Sequence, residues 1–152
     1  LNDPDCLMIR DTDTILSVSE RKMLKDVICV SNGMLIISDN LSRVSEEKFE
    51  EIRQCVAFSK ELNGGKVYPL GVMDTSHPTY LLNTAGALLA LNFGDEYSVV
   101  PLDTDQLLRI FGYNGMKMPK SFTAETGEKF TLRELSQGLA LQARSSWKRS
   151  LN

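Results

Sequence analysis

Two aspartates stand close together at the start of the chain, in the sequence Leu-Asn-Asp-Pro-Asp, and they are the first candidates for chemistry. Asp3 precedes Pro4, which favours an extended conformation for it, and Asp5 opens a short apolar run. In the functional interpretation, these carboxylates lie at the carboxyl end of a barrel strand. Carboxylates in that position act in sugar hydrolysis as acid, base or nucleophile, or bind sugar hydroxyls. Residues 2–5 are also typical of a polar turn, and composition alone favours the turn.

A second polar group follows the apolar run at residues 34–38, where Ser38, Asp39 and Asn40 come directly after a predicted buried strand. One interpretation is a turn that caps the next helix, and composition favours it. The other interpretation places these residues on the rim of the same candidate site as Asp3 and Asp5.

The sequence predicts no metal or cofactor. His77 is the one histidine and precedes Pro78 in a predicted loop, so a metal would lack a second imidazole ligand. No G-x-S-x-G motif accompanies it, and Gly64-Gly65 is not followed by the Lys-Ser/Thr pair of a phosphate loop.

Composition narrows the class of protein. The 152 residues are 42% hydrophobic and 24% charged, with a formal net charge of -3, which is typical of a globular domain. Without a basic stripe, nucleic-acid binding is not expected. No apolar run approaches the roughly 20 residues that span a bilayer, and no signal peptide is visible, so no membrane association is expected.

The three cysteines, Cys6, Cys29 and Cys55, are widely spaced and stand among apolar residues. Their odd number and spacing fit neither a zinc site nor a C-x-x-C pair. The sequence predicts buried free thiols, and with them a reducing, cytoplasmic location.

The elements that must position these residues change in character near Gly64-Gly65. Residues 1–63 predict strand, helix, strand and helix, with Ser17 or Ser19 capping the first helix and Ser45 the second. After residue 65 the pattern predicts an all-β region. It contains an edge strand at 66–73, a hairpin at 79–93, a short helix or crossover at 103–112, a hairpin at 121–132 and a last strand at 138–147.

Nine aromatic side chains in this β region have two interpretations. They form a carbohydrate-stacking platform, or, as is more common, they fill the core of a sandwich. The residues are Tyr68, Tyr80, Phe93, Tyr97, Phe111, Tyr113, Phe122, Phe130 and Trp147.

The order of these pieces resembles the end of an α-galactosidase (melibiase) of glycoside hydrolase families 27 and 36. The segments NDPDCL and NGMLIISDNLSRVSEE are similar to the motifs that end the seventh and eighth barrel strands of that family. The segment YLLNTAGALLALNFGDEYSVVPLD is similar to its C-terminal sandwich. The resemblance covers nearly the whole chain.

The resemblance implies an α/β remnant of the last part of a (β/α)8 barrel in residues 1–63 and an antiparallel β-sandwich in residues 64–152. The chain would be a C-terminal fragment of a retaining glycosidase that acts on terminal α-galactosides. The family's nucleophile and acid/base lie on earlier strands, so the chain alone is expected to carry no catalytic residue and to be inactive.

The same resemblance implies the binding residues. Asp5 matches the family aspartate that supports the sugar pocket and orients an arginine near the acid/base. Cys6 matches the next position, often Met in family 27, which touches the sugar, and Asp3 matches the first motif aspartate, whose role is more structural. The cysteine departs from the family pattern and leaves the sugar specificity open.

Two alternatives remain beside the resemblance. In the first alternative, the chain is a stand-alone β-sandwich module that binds carbohydrate or a protein partner, with residues 1–63 as a docking arm. Alternatively, the sandwich only covers one side of a barrel, and apolar faces within residues 16–37 drive formation of a homo-oligomer.

Overall fold

The structure, a computed structural model, describes residues 6–73, 75–124 and 127–150. Its first part alternates strands and helices, as predicted. The elements are β1 (Cys6–Leu7), α1 (Val18–Val30), β2 (Ile36–Ile37), a 3-10 turn (Leu41–Arg43) and α2 (Glu46–Glu61). β1 and β2 are parallel, with Cys6 opposite Ile36 and Leu7 opposite Ile37.

Both helices begin at serine caps. The Ser17 hydroxyl accepts from the backbone N–H of Glu20, and the Glu20 carboxylate accepts from the backbone N–H of Ser17, which completes a capping box. The Ser45 hydroxyl accepts from the backbone N–H of Lys48 at the start of α2. Of the two serines predicted to cap the first helix, Ser17 is the cap, and Ser45 caps the second helix as predicted; these caps fix where each helix starts.

The second part of the chain forms two antiparallel sheets. Its elements are β3 (Val67–Leu70), β4 (Tyr80–Asn83), β5 (Ala87–Asn92), β6 (Ser98–Val100), α3 (Thr104–Tyr113), β7 (Phe122–Ala124), β8 (Lys129–Phe130), α4 (Leu132–Gln137), β9 (Leu139–Leu141) and β10 (Ser145–Ser150). The larger sheet has the order β3-β4-β5-β10-β7-β8, and β6 pairs with β9 in the smaller one. The strand with Pro69 lies at an edge, as predicted.

Helix α3 confirms the helical alternative predicted for residues 103–112. Two other details of the all-β prediction were wrong. Helix α4 was not predicted, although it carries the signature of a capping box, Thr131 with Glu134 three residues later. The predicted last strand is two strands, because Arg144 adopts the left-handed conformation at φ 46° and turns the chain between β9 and β10. No glycine or proline marks that turn in the sequence.

The main core lies between the two antiparallel sheets and α3. One face of β4 and β5 contributes buried side chains, and β6, β9 and α3 cover that face. The buried residues of this cluster are Leu70, Tyr80, Leu82, Leu88, Ala90, Val100, Leu102, Leu107, Phe111, Phe122, Leu135, Leu139 and Leu141. This arrangement is compatible with the β-sandwich that the sequence predicts.

The opposite face of β4 and β5 is covered by the N-terminal helices. Leu81, Ala87, Leu89 and Leu91 pack there against Val30 and Leu62, with Met23, Val27 and Phe58 at the margin. Every residue of β5 is buried, and burial on both faces explains the apolar run from Ala87 to Leu91. The division into units at residues 63 and 64 stays a prediction, but side chains from both sides of it share this cluster.

The prediction of three buried free thiols was wrong. Cys29 of α1 and Cys55 of α2 form a disulfide, with their Cα atoms 6.3 Å apart, and Cys6 is a free, exposed cysteine. Helical spacing places the first two inward on adjacent helices, where only the packing of α1 on α2 brings them together. The prediction that residues 34–38 form a fully buried strand was also wrong, because Ile36 is 43% exposed.

A buried carboxylate connects α1 to β10. Asp26 is 1% exposed, and its carboxylate accepts from Ser146 Oγ at 2.7 Å and contacts the ammonium groups of Lys22 at 2.6 Å and Lys148 at 3.3 Å. Burial raises the pKa of this carboxyl, but Lys148 and Lys22 lower it by more, so the net pKa lies below its ordinary value of 3.8. Asp26 is therefore held in its charged form.

We expect this carboxylate to make stability depend on acidity. A carboxyl whose folded pKa lies below the unfolded one contributes stability above the unfolded pKa, and that contribution is lost as the pH falls through the folded pKa. The free energy of unfolding should therefore decrease as the pH is lowered below about 4. Urea unfolding between pH 7 and pH 2 measures it, and an unchanged slope in Asp26→Asn would contradict this assignment.

In the described part of the chain, no helix combines the length and the apolar character needed to cross a membrane.

Candidate functional site

A surface cavity of about 390 Å³ lies at the carboxyl ends of the parallel strands β1 and β2. The loop after β1, the loop after β2 and the first turn of α2 enclose it. Its lining residues are Arg10, Asp11, Thr12, Asp13, Asn40, Arg43, Val44, Ser45 and Lys48. Ligands of parallel α/β sheets bind at this end of the strands, so this cavity is the candidate functional site.

Asp39 holds the two loops together. Its side chain is fully buried, and its Oδ2 accepts from the backbone N–H of Ile9 at 2.7 Å. Its Oδ1 has no hydrogen-bond partner among the described residues and lies 3.9 Å from Arg10 Nη1. The aspartate thus fixes the backbone from which Arg10 extends toward the cavity.

We expect Asp39→Ala to destabilise the protein by about 1 to 3 kcal/mol, because the buried N–H of Ile9 loses its acceptor. Chemical unfolding measures the loss, and hydrogen exchange at the Ile9 amide should quicken in parallel. Glu96→Ala, at an exposed position, is the control and should stay within about 0.5 kcal/mol of the wild type. Equal stability of the two variants would contradict the role given to Asp39.

The cavity mixes both signs of charge with neutral polar groups. Asp11 lies 2.7 Å from Arg21 Nη2 and 3.6 Å from Lys48 Nζ, so its charge is balanced. Asn40 uses its side-chain oxygen to accept from the N–H and the hydroxyl of Ser42. Guanidinium, carboxylate, amide and hydroxyl groups arranged around one cavity suit a ligand rich in hydroxyl groups.

The candidate residues from the sequence meet different outcomes. Asp3 and Asp5 lie outside the described residues, so their roles stay predictions. Cys6 lies in β1, exposed, with Ile36 opposite it. Asn40 caps the 3-10 turn, as the capping interpretation of that loop predicts, whereas Asp39 is buried rather than placed on the rim.

His77 and the aromatic residues lie away from this cavity, and the aromatic set divides. Six of its members belong to the main core or pack against it: Tyr68, Tyr80, Phe111, Phe122, Phe130 and Trp147. Phe93, Tyr97 and Tyr113 are exposed by 39%, 59% and 81%. The His77 and Phe93 rings meet edge to face, with centroids 5.0 Å apart.

No group of three or more His, Cys, Asp or Glu residues within 6–73, 75–124 and 127–150 could hold a metal ion. Of the residues that line the cavity, the sequence indicated Asn40 as a candidate for the rim of a site and Ser45 as a helix cap, and it did not single out the others. The signal that identifies them is positional: each of the two polar segments directly follows a strand of the same parallel pair.

Comparison with known proteins shows which solved structures share the fold of this chain. No protein-family model and no curated protein matches the sequence. A Bacteroides fragilis protein named as a candidate α-galactosidase matches with a TM-score of 0.65 at 11% identity, over 99% of this chain and 33% of its own. α-Galactosidase I from Mortierella vinacea matches with a TM-score of 0.61 at 13% identity, over 98% and 38%.

This likeness shows the fold. The resemblance to α-galactosidases that the sequence motifs suggested is confirmed at that level, over nearly all of the chain. The chain spans about a third of the length of the two solved structures it matches.

Proposed function

We propose that this chain is a C-terminal part of a retaining glycosidase that acts on terminal α-galactosides. In this proposal the loops after β1 and β2 form part of the sugar-binding face. The charged cavity at the carboxyl ends of a parallel strand pair carries the proposal, because it lies within a fold shared with α-galactosidases.

The short parallel pair supports the proposal. Among the described residues β1 and β2 have two residues each, and parallel sheets are stable when further strands flank them and helices cover them. Ile36 of β2 is exposed, as are Met34 just before β2 and Leu41 just after it. Further barrel strands, preceding this chain in the same protein, would cover such apolar side chains and complete the sheet.

In this proposal the chain binds and orients the sugar but does not cleave the bond. Retaining hydrolysis uses two carboxylates about 5 to 5.5 Å apart, one as nucleophile and one as acid/base. Both would come from strands outside this chain. Arg10, Arg43 and Asn40 would contact sugar hydroxyls, and Asp39 would keep Arg10 in place.

The first experiment is immunoprecipitation from source cells with an antibody against residues 66–152. We expect a polypeptide well over 152 residues long that hydrolyses a chromogenic α-galactoside, whereas the purified 152-residue chain shows no hydrolysis. A precipitated polypeptide of this chain's own size, without activity, would refute the proposal. Hydrolysis by the isolated chain would refute the assignment of the nucleophile to another part of the protein.

In the active protein, Arg43→Ala is expected to raise KM about tenfold or more, because one charged hydrogen bond to the sugar is lost. The matched control is Arg53→Ala, since Arg53 is exposed on α2 and pairs with Glu46 and Glu50 outside the cavity. Kinetics with a chromogenic α-galactoside measure both. Equal KM values for the two variants would remove Arg43 from the sugar-binding face.

A second candidate function is a β-sandwich module that binds carbohydrate by itself. The exposed rings of Phe93 and Tyr97, with His77 against Phe93, are the observation that favours it. Calorimetry of galactose and oligosaccharides with the isolated chain tests this candidate. Binding that is lost in Tyr97→Ala and kept in Arg43→Ala would establish it over the first proposal.

A further inference from the structure

The disulfide between the two N-terminal helices opens onto a second cavity. This cavity has a volume of about 190 Å³, and both Cys29 and Cys55 line it. The remaining lining residues are Lys25, Glu51, Gln54, Phe58 and Lys148. Cys29 is 1% exposed and Cys55 5% exposed, and this cavity is lined by both of them.

The charges around this cavity favour an anion. Lys25 and Lys148 contribute two ammonium groups, and Glu51 is the one carboxylate among the lining residues. Lys25 Nζ lies 2.5 Å from Glu51 Oε1, and Lys48 Nζ lies 3.3 Å from Glu51 Oε2. Two ammonium groups therefore face the single negative charge of Glu51. Lys148 lies 3.3 Å from Asp26 and 4.4 Å from the centroid of the Phe58 ring.

We propose that the Cys29–Cys55 disulfide is a thiol-exchange site that takes a small anionic thiol, of the glutathione class, through this cavity. The thiolate attacks Cys55 Sγ, forms a mixed disulfide and releases Cys29 as a thiolate. A second thiolate attacks the small-molecule sulfur of the mixed disulfide and releases Cys55, so two thiols are oxidised to one disulfide. The two cysteine thiolates then take protons from water.

Reduction removes the covalent link between α1 and α2. The first turns of α2 also carry Ser45 and Lys48, which line the larger cavity at the ends of β1 and β2. Exchange at the disulfide therefore loosens one wall of that cavity. The site gives the protein a different state in reducing and oxidising compartments, and it does not depend on the glycosidase assignment.

The test uses the purified, oxidised protein with Cys6→Ser, so that alkylation reports on the disulfide alone. Native protein at low ionic strength is treated with glutathione or with the cationic thiol cysteamine, at equal thiolate concentration. Iodoacetamide then traps the free thiols for peptide mass analysis. We expect labelling of both Cys29 and Cys55 without denaturant, several times faster with glutathione than with cysteamine.

Charge variants show whether the cavity selects the thiol. Lys25→Gln should reduce the ratio of the glutathione rate to the cysteamine rate about threefold to fivefold, and Lys25→Arg should keep it. Arg53→Gln, on the exposed side of α2, is the control and should leave the ratio unchanged. Labelling only in denaturant, labelling before any reduction, or a ratio equal in Lys25→Gln and Arg53→Gln would overturn the proposal.

Discussion

Asp26→Ala should lower the free energy of unfolding by about 3 to 5 kcal/mol, because it removes the carboxylate that a buried ammonium group contacts. Lys148 is only 13% exposed at its side chain and contacts Asp26 from the larger sheet, while Lys22 contacts it from α1. Ser146 loses its acceptor in the same variant. Chemical unfolding monitored by circular dichroism at pH 7 measures the change.

The control for this variant is Asp105→Ala. Asp105 is exposed in the first turn of α3, where a carboxylate contributes at most about 1 kcal/mol through the helix dipole. A loss below 1 kcal/mol in Asp26→Ala would mean that α1 does not dock on β10 through this carboxylate.

Leu89→Ala is expected to cost about 2 to 5 kcal/mol, because it opens a cavity in the layer between the larger sheet and the N-terminal helices. Leu89 is fully buried in the cluster that contains Val30 of α1 and Leu62 after α2. Chemical unfolding measures the loss, and hydrogen exchange in α1 should quicken in the same variant, since α1 covers this face.

This variant also tests whether residues 1–63 and 64–152 fold together. If the β region folded without the N-terminal helices, Leu89 would face solvent, and its truncation would cost little. Leu108→Ala, on α3 and 47% exposed, is the matched control and should change stability by about 0.5 kcal/mol or less. Equal losses in the two leucine variants would contradict a shared core.

Local patterns in the sequence predicted most of the elements. Ser17 and Ser45 mark the two helix starts, the turn at residues 84–86 joins the central hairpin, and Pro69 marks an edge strand. These features depend on neighbouring residues, and so the sequence alone carries them. The motifs around the predicted strands also led to the α-galactosidase resemblance, which the structural comparison confirmed for the fold.

Other local signals were present but outweighed. Thr131 and Glu134 form a capping box that predicts α4, yet the surrounding strand pattern favoured a hairpin followed by a strand.

Arg144 turns the chain in a left-handed conformation without any residue type that marks such a turn. Its backbone N–H donates to the Gly94 carbonyl at 2.9 Å, so the position of the neighbouring hairpin decides this turn.

The sequence by itself determined the alternation of strands and helices in residues 6–61, the caps of α1 and α2 and the polar segment that follows β2. Only the tertiary structure decided that Cys29 meets Cys55, that Asp26 is buried against Lys148 and that Asp39 binds Ile9 rather than solvent. Each of these pairs joins residues 26 or more positions apart, which no local pattern encodes. Their free energy depends on burial, and burial exists only once the helices have packed on the sheets.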